Sequence, residues 1–241
     1  MKEIKKTGKP MIVVLIAGKP LAMPWVKENA DAVLVQWYAG EQQGRTLADI
    51  LLGKVNPSGK LNVSFPRSTG NTPCFYNHFV TDREEPFDQP GTPEEPKGHY
   101  IFDKPEPLWN FGHGKSYTTF DYVDCALSDT LLAASDTLKV SVMIKNTGRC
   151  DGKEVVQLYV RDKVSTVATP IQQLKAFQKV LVKSGESQCV ELSLPIAELA
   201  LYNAKMEEVV EPGDFEIQIG AASDDIRFKK TITTVSYTHL R

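Results

Sequence analysis

The residues best able to do chemistry in this 241-residue chain are its carboxylates. Two Asp or Glu side chains flanking a scissile glycosidic bond can serve as acid and as nucleophile or base. Thirty acidic residues make their mere presence uninformative, so position has to narrow the field. Glu41 follows Trp37 and Tyr38 at the end of an apolar run that reads as a buried strand, and ligands of open α/β sheets bind beside such strand ends. Trp37, Tyr38 and Glu41 are therefore the candidate substrate-binding residues. The competing role for Glu41 is a carboxylate favoured by the dipole at a helix start. A second acidic group, Asp82, Glu84, Glu85, Asp88, Glu94 and Glu95, lies in a stretch rich in Pro and Gly and reads as a solvated loop face.

Other constellations fail on spacing. Gly112-His113-Gly114-Lys115-Ser116 suggests a phosphate loop, but Trp109 stands where the motif needs its first glycine, and β-branched residues follow where it needs a helix. The glycines there read as tight-turn residues. His78, His99, His113 and His239 lack metal-ligand spacing, and there is no G-x-S-x-G elbow for a serine nucleophile. Cys74, Cys125, Cys150 and Cys189 lie far apart without a C-x-x-C pair, which argues against a zinc site and leaves free thiols, with a disulfide as the alternative. No metal or cofactor is expected.

A formal net charge of -2 argues against nucleic acid as a partner, because neutralising phosphates requires a basic surface. No apolar run approaches the length of a membrane span; the longest, Met11 to Ala17, is strand-sized. The opening MKEIKKTGKP reads as the last turns of a helix, with Lys5 and Lys6 near its C-terminus and Gly8 as the cap.

The elements that must position these residues fall into two classes. Met11 to Ala17 (MIVVLIA) is a continuous β-branched run, as expected of a strand buried on both faces. Gly18-Lys19-Pro20 turns, and Pro24 suits the first turn of a short helix reaching about Asn29. Ala32 to Trp37 is the next strand, and Gly40-Glu41-Gln42 opens a helix to Leu52, with Gly53 at its C-cap. Strand, helix, strand, helix predicts a parallel, doubly wound sheet. Two strands are too few for a stable one, so further strands are expected upstream. After Tyr122 the pattern becomes all-β: Leu138, Val140, Val142 and Ile144 alternate with polar or flexible residues, as do Val156, Leu158 and Val160 with Gln157, Tyr159 and Arg161. Val190, Leu192, Leu194 and then Phe215, Ile217, Ile219 repeat it, which describes an antiparallel sandwich with one wet face per sheet. The expected fold class is α/β plus all-β, a partial α/β sandwich domain followed by a β-sandwich. Its expected divisions are residues 1–122, 123–235 and a patternless tail, 236–241. Between the two classes runs a stretch whose aromatics, Phe75, Tyr76, Phe79, Phe87, Tyr100, Phe102 and Trp109, carry too much apolar surface to float freely.

Several segments together resemble glycoside hydrolase family 3: TGKPMIVVLIAGKPLAMPWV, then VLVQWYAGEQQGRTLADILLGKVNPSGKLNVSFP, then PLWNFGHGKSYTTFDY. EVVQLYV, LKAFQKVLVKSGES and EPGDFEIQIG resemble the fibronectin type III-like domain that ends many members. The likeness extends from about Thr7 to Val235, with Lys115 departing from the small or apolar residue usual at that place. It implies a retaining, exo-acting β-glycosidase of the β-glucosidase type, built from a (β/α)8 barrel, an α/β sandwich domain and a fibronectin-like domain. The family's nucleophile is an aspartate in the barrel and its acid/base a glutamate before the strand matching Met11 to Ala17, so no residue here inherits a catalytic role. By this resemblance the chain is a C-terminal portion that partners a missing N-terminal barrel, acts on β-linked oligosaccharides through it, and is inactive alone. The parent would be periplasmic or secreted in the manner of many members. The alternative is a non-catalytic carbohydrate-binding or interaction module, suggested by the aromatic-rich stretch.

Overall fold

A computed structural model describes residues 1–79, 92–94, 104 and 106–235. The chain divides into two compact units. One contains Met1–Val55, Leu61–Phe75 and the described part of 83–111; the other contains Asn56–Lys60, the described part of 76–82, and 112–235.

The first unit begins with a short helix, α1 (Lys2–Lys5), and a strand, β1 (Ile12–Leu15). Helix α2 (Pro24–Asn29) has Pro24 in its first turn, where a missing N–H costs nothing. Strand β2 (Ala32–Val35) lies parallel to β1, with Ile12 opposite Ala32 and Leu15 opposite Val35. Asp31 ties the C-terminal end of α1 to the N-terminal ends of β1 and β2: its carboxylate accepts the Met11 N–H at 2.7 Å and the Lys5 ammonium at 3.0 Å. Helix α3 (Gln43–Leu51) ends in a full Schellman closure. Gly53 at φ +71° donates to Ile50 O, and Lys54 donates to Asp49 O. The strands were expected to be buried on both faces; instead Ile12 at the start of β1 and Ile16 just after its end are each 52% exposed, and Val13, Val14 and Leu15 are half-buried.

The second unit is a sandwich. Its strands are β3 (Phe120–Leu127), β4 (Leu131–Ala133), β5 (Thr137–Asn146), β6 (Gly152–Asp162), β7 (Gln173–Val182), β8 (Ser187–Pro195), the short pair β9 (Leu201–Tyr202) and β10 (Glu208–Val209), β11 (Gly213–Ala222) and β12 (Asp225–Val235). One sheet runs β4-β12-β11-β6-β7 and the other β3-β5-β8. Pairing is antiparallel except where β4 joins β12 in parallel. The inner faces meet in a core containing Leu138, Val140, Val142 and Ile144 from β5, Val190, Leu192 and Leu194 from β8, and Phe215, Ile217 and Ile219 from β11. The period-2 pattern of these strands is what puts their branched residues on one side.

Strand β6 departs from that pattern. Gln157 and Tyr159 were expected on the wet face, yet both are buried, as is Glu154. The reason is a cover drawn from distant parts of the chain. Gln157 Nε2 donates to Gly112 O and to Ala221 O, while Tyr159 donates its hydroxyl to Gln157 Oε1 at 2.6 Å. The Tyr76 ring meets Tyr159 edge-on at 5.9 Å, and the Tyr76 hydroxyl accepts the Leu174 N–H. Lys60 forms an ion pair with Glu154 at 3.1 Å, and the Tyr122 hydroxyl donates to the same carboxylate at 3.3 Å. Asn56 completes the cover: its Oδ1 accepts from Ser116 Oγ and Tyr117 N, and its Nδ2 donates to Asp151 O. Gly112, at φ +81°, admits no side chain, since a Cβ there would stand 2.3 Å from Gln157 Oε1. The Gly112–Ser116 segment thus serves as a tight-turn cover and leads into a strand, not a helix.

Candidate functional site

The candidate residues lie at the C-terminal ends of β1 and β2. There the Gln36 N–H donates to Leu15 O at 2.9 Å, extending the parallel ladder by one residue, and Gln36 Nε2 donates to Gln43 O at 2.7 Å. The chain then turns through Trp37, which has a left-handed φ of 52°. A bulky residue in that region is a genuine outlier, with a cost on the order of 1–3 kcal/mol that surrounding contacts must offset. Those contacts are aromatic. The Trp37 ring is 5.9 Å from the fully buried Phe65, which meets Trp109 edge-on at 5.7 Å and 78°. Phe65 and Trp109 are fixed by backbone bonds, Phe65 N to Trp109 O at 2.8 Å and Leu108 N to Phe65 O at 2.6 Å. Lys27 on α2 closes the row: its ammonium sits 5.8 Å above the Trp109 ring and donates to Leu108 O.

Tyr38 takes the opposite environment. It is 75% exposed, and its ring lies across Gly18, where an added Cβ would come within 2.8 Å of Tyr38 Cε2. Glu41 stands exposed in the turn before α3. The helix expected from Gly40 begins at Gln43, because Gly40 is left-handed at φ +74° and the turn started by Trp37 has not yet closed. The structure therefore gathers Trp37 and Tyr38 at the strand ends together with three groups the sequence did not single out as functional: Gly18, Phe65 and Lys27. The glycine and proline at the end of the first apolar run were the available signal for Gly18.

Elsewhere the chemistry is quiet. Burial pushes the Cys74 and Cys125 thiols up, which keeps them protonated, and all four cysteines are free. Tyr122 and Tyr159 are also pushed up, first by burial and then by neighbouring negative charge or phenol, so they act as hydrogen-bond donors. No group of three His, Cys, Asp or Glu able to hold a metal occurs among the described residues. Of the histidines, His78 contacts Phe79 O through Nδ1 at 3.0 Å, whereas His99 and His239 lie outside the described residues. So do Asp82, Glu84, Glu85, Asp88 and Glu95 of the acidic group; Glu94 is exposed. No described helix is long and apolar enough to cross a membrane. A cleft of about 230 Å³ at the end of β6 is lined by Arg161, Asp162, Lys163 and Thr169. Burial raises the Asp162 carboxyl there, and its Oδ1 accepts the Val164 N–H.

Residues 1–117 match the glycosyl hydrolase family 3 C-terminal domain, and residues 154–223 match the fibronectin type III-like domain, in that order along one chain. The chain belongs to glycoside hydrolase family 3. This family 3 chain is 42% identical over 229 residues to a beta-xylosidase of Formosa agariphila, a match covering 94% of this chain and 30% of that protein. It is 39% identical to the periplasmic beta-glucosidase of Salmonella typhimurium, covering 93% and 29% respectively. Among solved structures, the beta-glucosidase of Listeria innocua in complex with glucose superposes with a TM-score of 0.87 at 37% identity, over 98% of this chain and 32% of that one. The family 3 chain thus spans about 30% of the length of the curated relatives it matches, and their C-terminal region is the part it resembles. The α/β unit followed by a fibronectin-like sandwich is the architecture that resemblance implied.

Proposed function

We propose that this chain is the C-terminal part of a retaining, exo-acting β-glycosidase of the β-glucosidase type, removing terminal β-linked sugars in carbohydrate catabolism. Its nucleophile and acid/base lie outside the chain, the first in a (β/α)8 barrel and the second on a loop of the α/β domain before the strand matching Met11 to Ala17. The observation carrying this reading is the match over more than nine-tenths of the chain to β-glucosidases and β-xylosidases of which it spans about 30%. In a retaining enzyme the two carboxyl groups stand about 5 Å apart, one attacking the anomeric carbon while the other protonates the leaving oxygen. What this chain contributes is a binding rim at the strand ends, Trp37, Tyr38 and Glu41, on a sheet whose carboxyl edge suits a ligand.

The test uses two proteins. The chain alone should not hydrolyse an aryl β-glucoside. A chimera in which it replaces the matching 32% of the Listeria innocua enzyme should. Turnover by the chain alone, or a folded chimera with none, would overturn the reading. Exposed Phe75 and Phe79 favour a second reading, a carbohydrate-binding module. Calorimetry with cello- and xylo-oligosaccharides separates the two, because a module requires binding that Phe75→Ala or Phe79→Ala abolishes.

A further inference from the structure

Trp37 and Tyr38 are neighbours in sequence, but the left-handed backbone at Trp37 sends them to opposite fates. Trp37 packs toward Phe65 and is spent on structure. Tyr38 is left three-quarters exposed at the carboxyl edge of the parallel pair β1 and β2. Its ring lies across Gly18, at a distance that leaves no room for a Cβ there. Strained backbone that the surroundings over-determine is a mark of a functional position. An exposed aromatic ring that carries a hydroxyl has the amphipathic character that recognises a ligand with an apolar face and a polar rim. A pyranose ring is such a ligand.

We propose that Tyr38 is a stacking platform for the ring of a terminal β-linked sugar, with Gly18 and Trp37 as the positioning residues that hold it. This rests on the glycosidase reading. It divides the roles at the rim: Tyr38 touches sugar, Trp37 anchors the turn, and Gly18 sets the height and tilt of the Tyr38 ring. Gly18 is thereby a specificity-determining position without contacting the sugar. Its backbone is not left-handed, and the three atoms nearest to an added methyl group all belong to the Tyr38 side chain. Gly18→Ala should turn the ring aside and leave the fold intact.

The experiment is an NMR titration of the full chain with methyl β-D-glucopyranoside and methyl β-D-xylopyranoside, observing aromatic and amide signals. The expected result is saturable shifts centred on the Tyr38 ring and the Gly18 amide. Tyr38→Ala should abolish them and Tyr38→Phe should keep them, since stacking does not need the hydroxyl. Gly18→Ala should weaken binding about three- to tenfold at unchanged melting temperature, the range expected for one aromatic contact. In the chimera, Tyr38→Ala should raise KM by a similar factor while kcat changes less than about twofold, the pattern of a lost binding contact. Absence of shifts with both sugars, shifts centred elsewhere, loss of binding in Tyr38→Phe, or an unchanged KM in Tyr38→Ala would each overturn the proposal. An inactive chimera whose Tyr38 still responds to sugar would sink the glycosidase reading and leave the platform standing. An active chimera indifferent to Tyr38→Ala would do the reverse.

Discussion

Replacing Lys60 with Met would strip a buried carboxylate of its counter-ion. The Lys60 and Glu154 side chains are 14% and 6% exposed, and their charged atoms are 3.1 Å apart. At an effective dielectric of about 20 the attraction at that distance is about 5 kcal/mol, and removing one partner of such a pair costs about 3–5 kcal/mol. Two features pull the expected value toward the lower end. The Tyr122 hydroxyl still donates to Glu154 Oε1, and Met retains most of the apolar stem that packs beside Gly114. We expect a loss of about 3 kcal/mol, or about 10 °C in Tm for a unit of this size. Glu154→Gln should cost less, because Lys60 keeps Gly114 O as an acceptor at 3.4 Å. The double variant should be about 2 kcal/mol more stable than the two single losses would sum to, which a double-mutant cycle in urea measures directly. Repeating the cycle in about 1 M NaCl should barely change the coupling, since buried pairs are poorly screened. A Lys60→Met loss under about 1 kcal/mol, or additive single effects, would refute the view that this pair fastens Asn56–Lys60 to the sandwich.

Ile217→Ala in the sandwich core, where the side chain is fully buried, should cost about 3–4 kcal/mol, read as a lower urea midpoint at an unchanged m-value. Asp31 gives a pH prediction. The Met11 N–H, then the Lys5 ammonium, hold its carboxyl below the ordinary value, so its contribution is complete above about pH 4 and is lost as pH falls through the folded-state value. Asp31→Asn should therefore flatten the acid limb of the stability curve; an acid limb as steep as wild type would show that Asp31 does not fasten the ends of α1, β1 and β2.

Elements defined by local chemistry were legible in the sequence. Pro24 and Asn29 bound α2 because proline fixes the first turn, and Gly53 ends α3 because only glycine takes the left-handed cap easily. The alternation through Leu138–Ile144 and Phe215–Ile219 located the sandwich core for the same local reason. Gln157 and Tyr159 were misplaced because the groups that bury them are remote. Gly112 lies 45 positions away, and no period within β6 can announce a cover from there. At the candidate rim, the residues Trp37, Tyr38 and Glu41 were visible as types near a strand end. The left-handed Trp37 was not, since tryptophan has no preference for that conformation and adopts it through contacts with Phe65. That hidden turn also explains why α3 starts at Gln43 and not at Gly40.

The polar outer face of β6 bears on how such a sandwich can be inherited. A fibronectin-like unit with a water-compatible exterior can be cut out and recombined as a free-standing cassette. This one would carry Gln157 and Tyr159 into solvent without Gly112 and Tyr76, and leave Glu154 without Lys60, if residues 123–235 were transplanted alone. The heritable block is therefore discontinuous in the gene: the chain from Gly112 onward together with two short pieces encoded well before it, one holding Lys60 and the other Tyr76. Recombination that splits those pieces from the strands would deliver a sandwich with a charged, unlidded flank, which selects for moving the whole region as one.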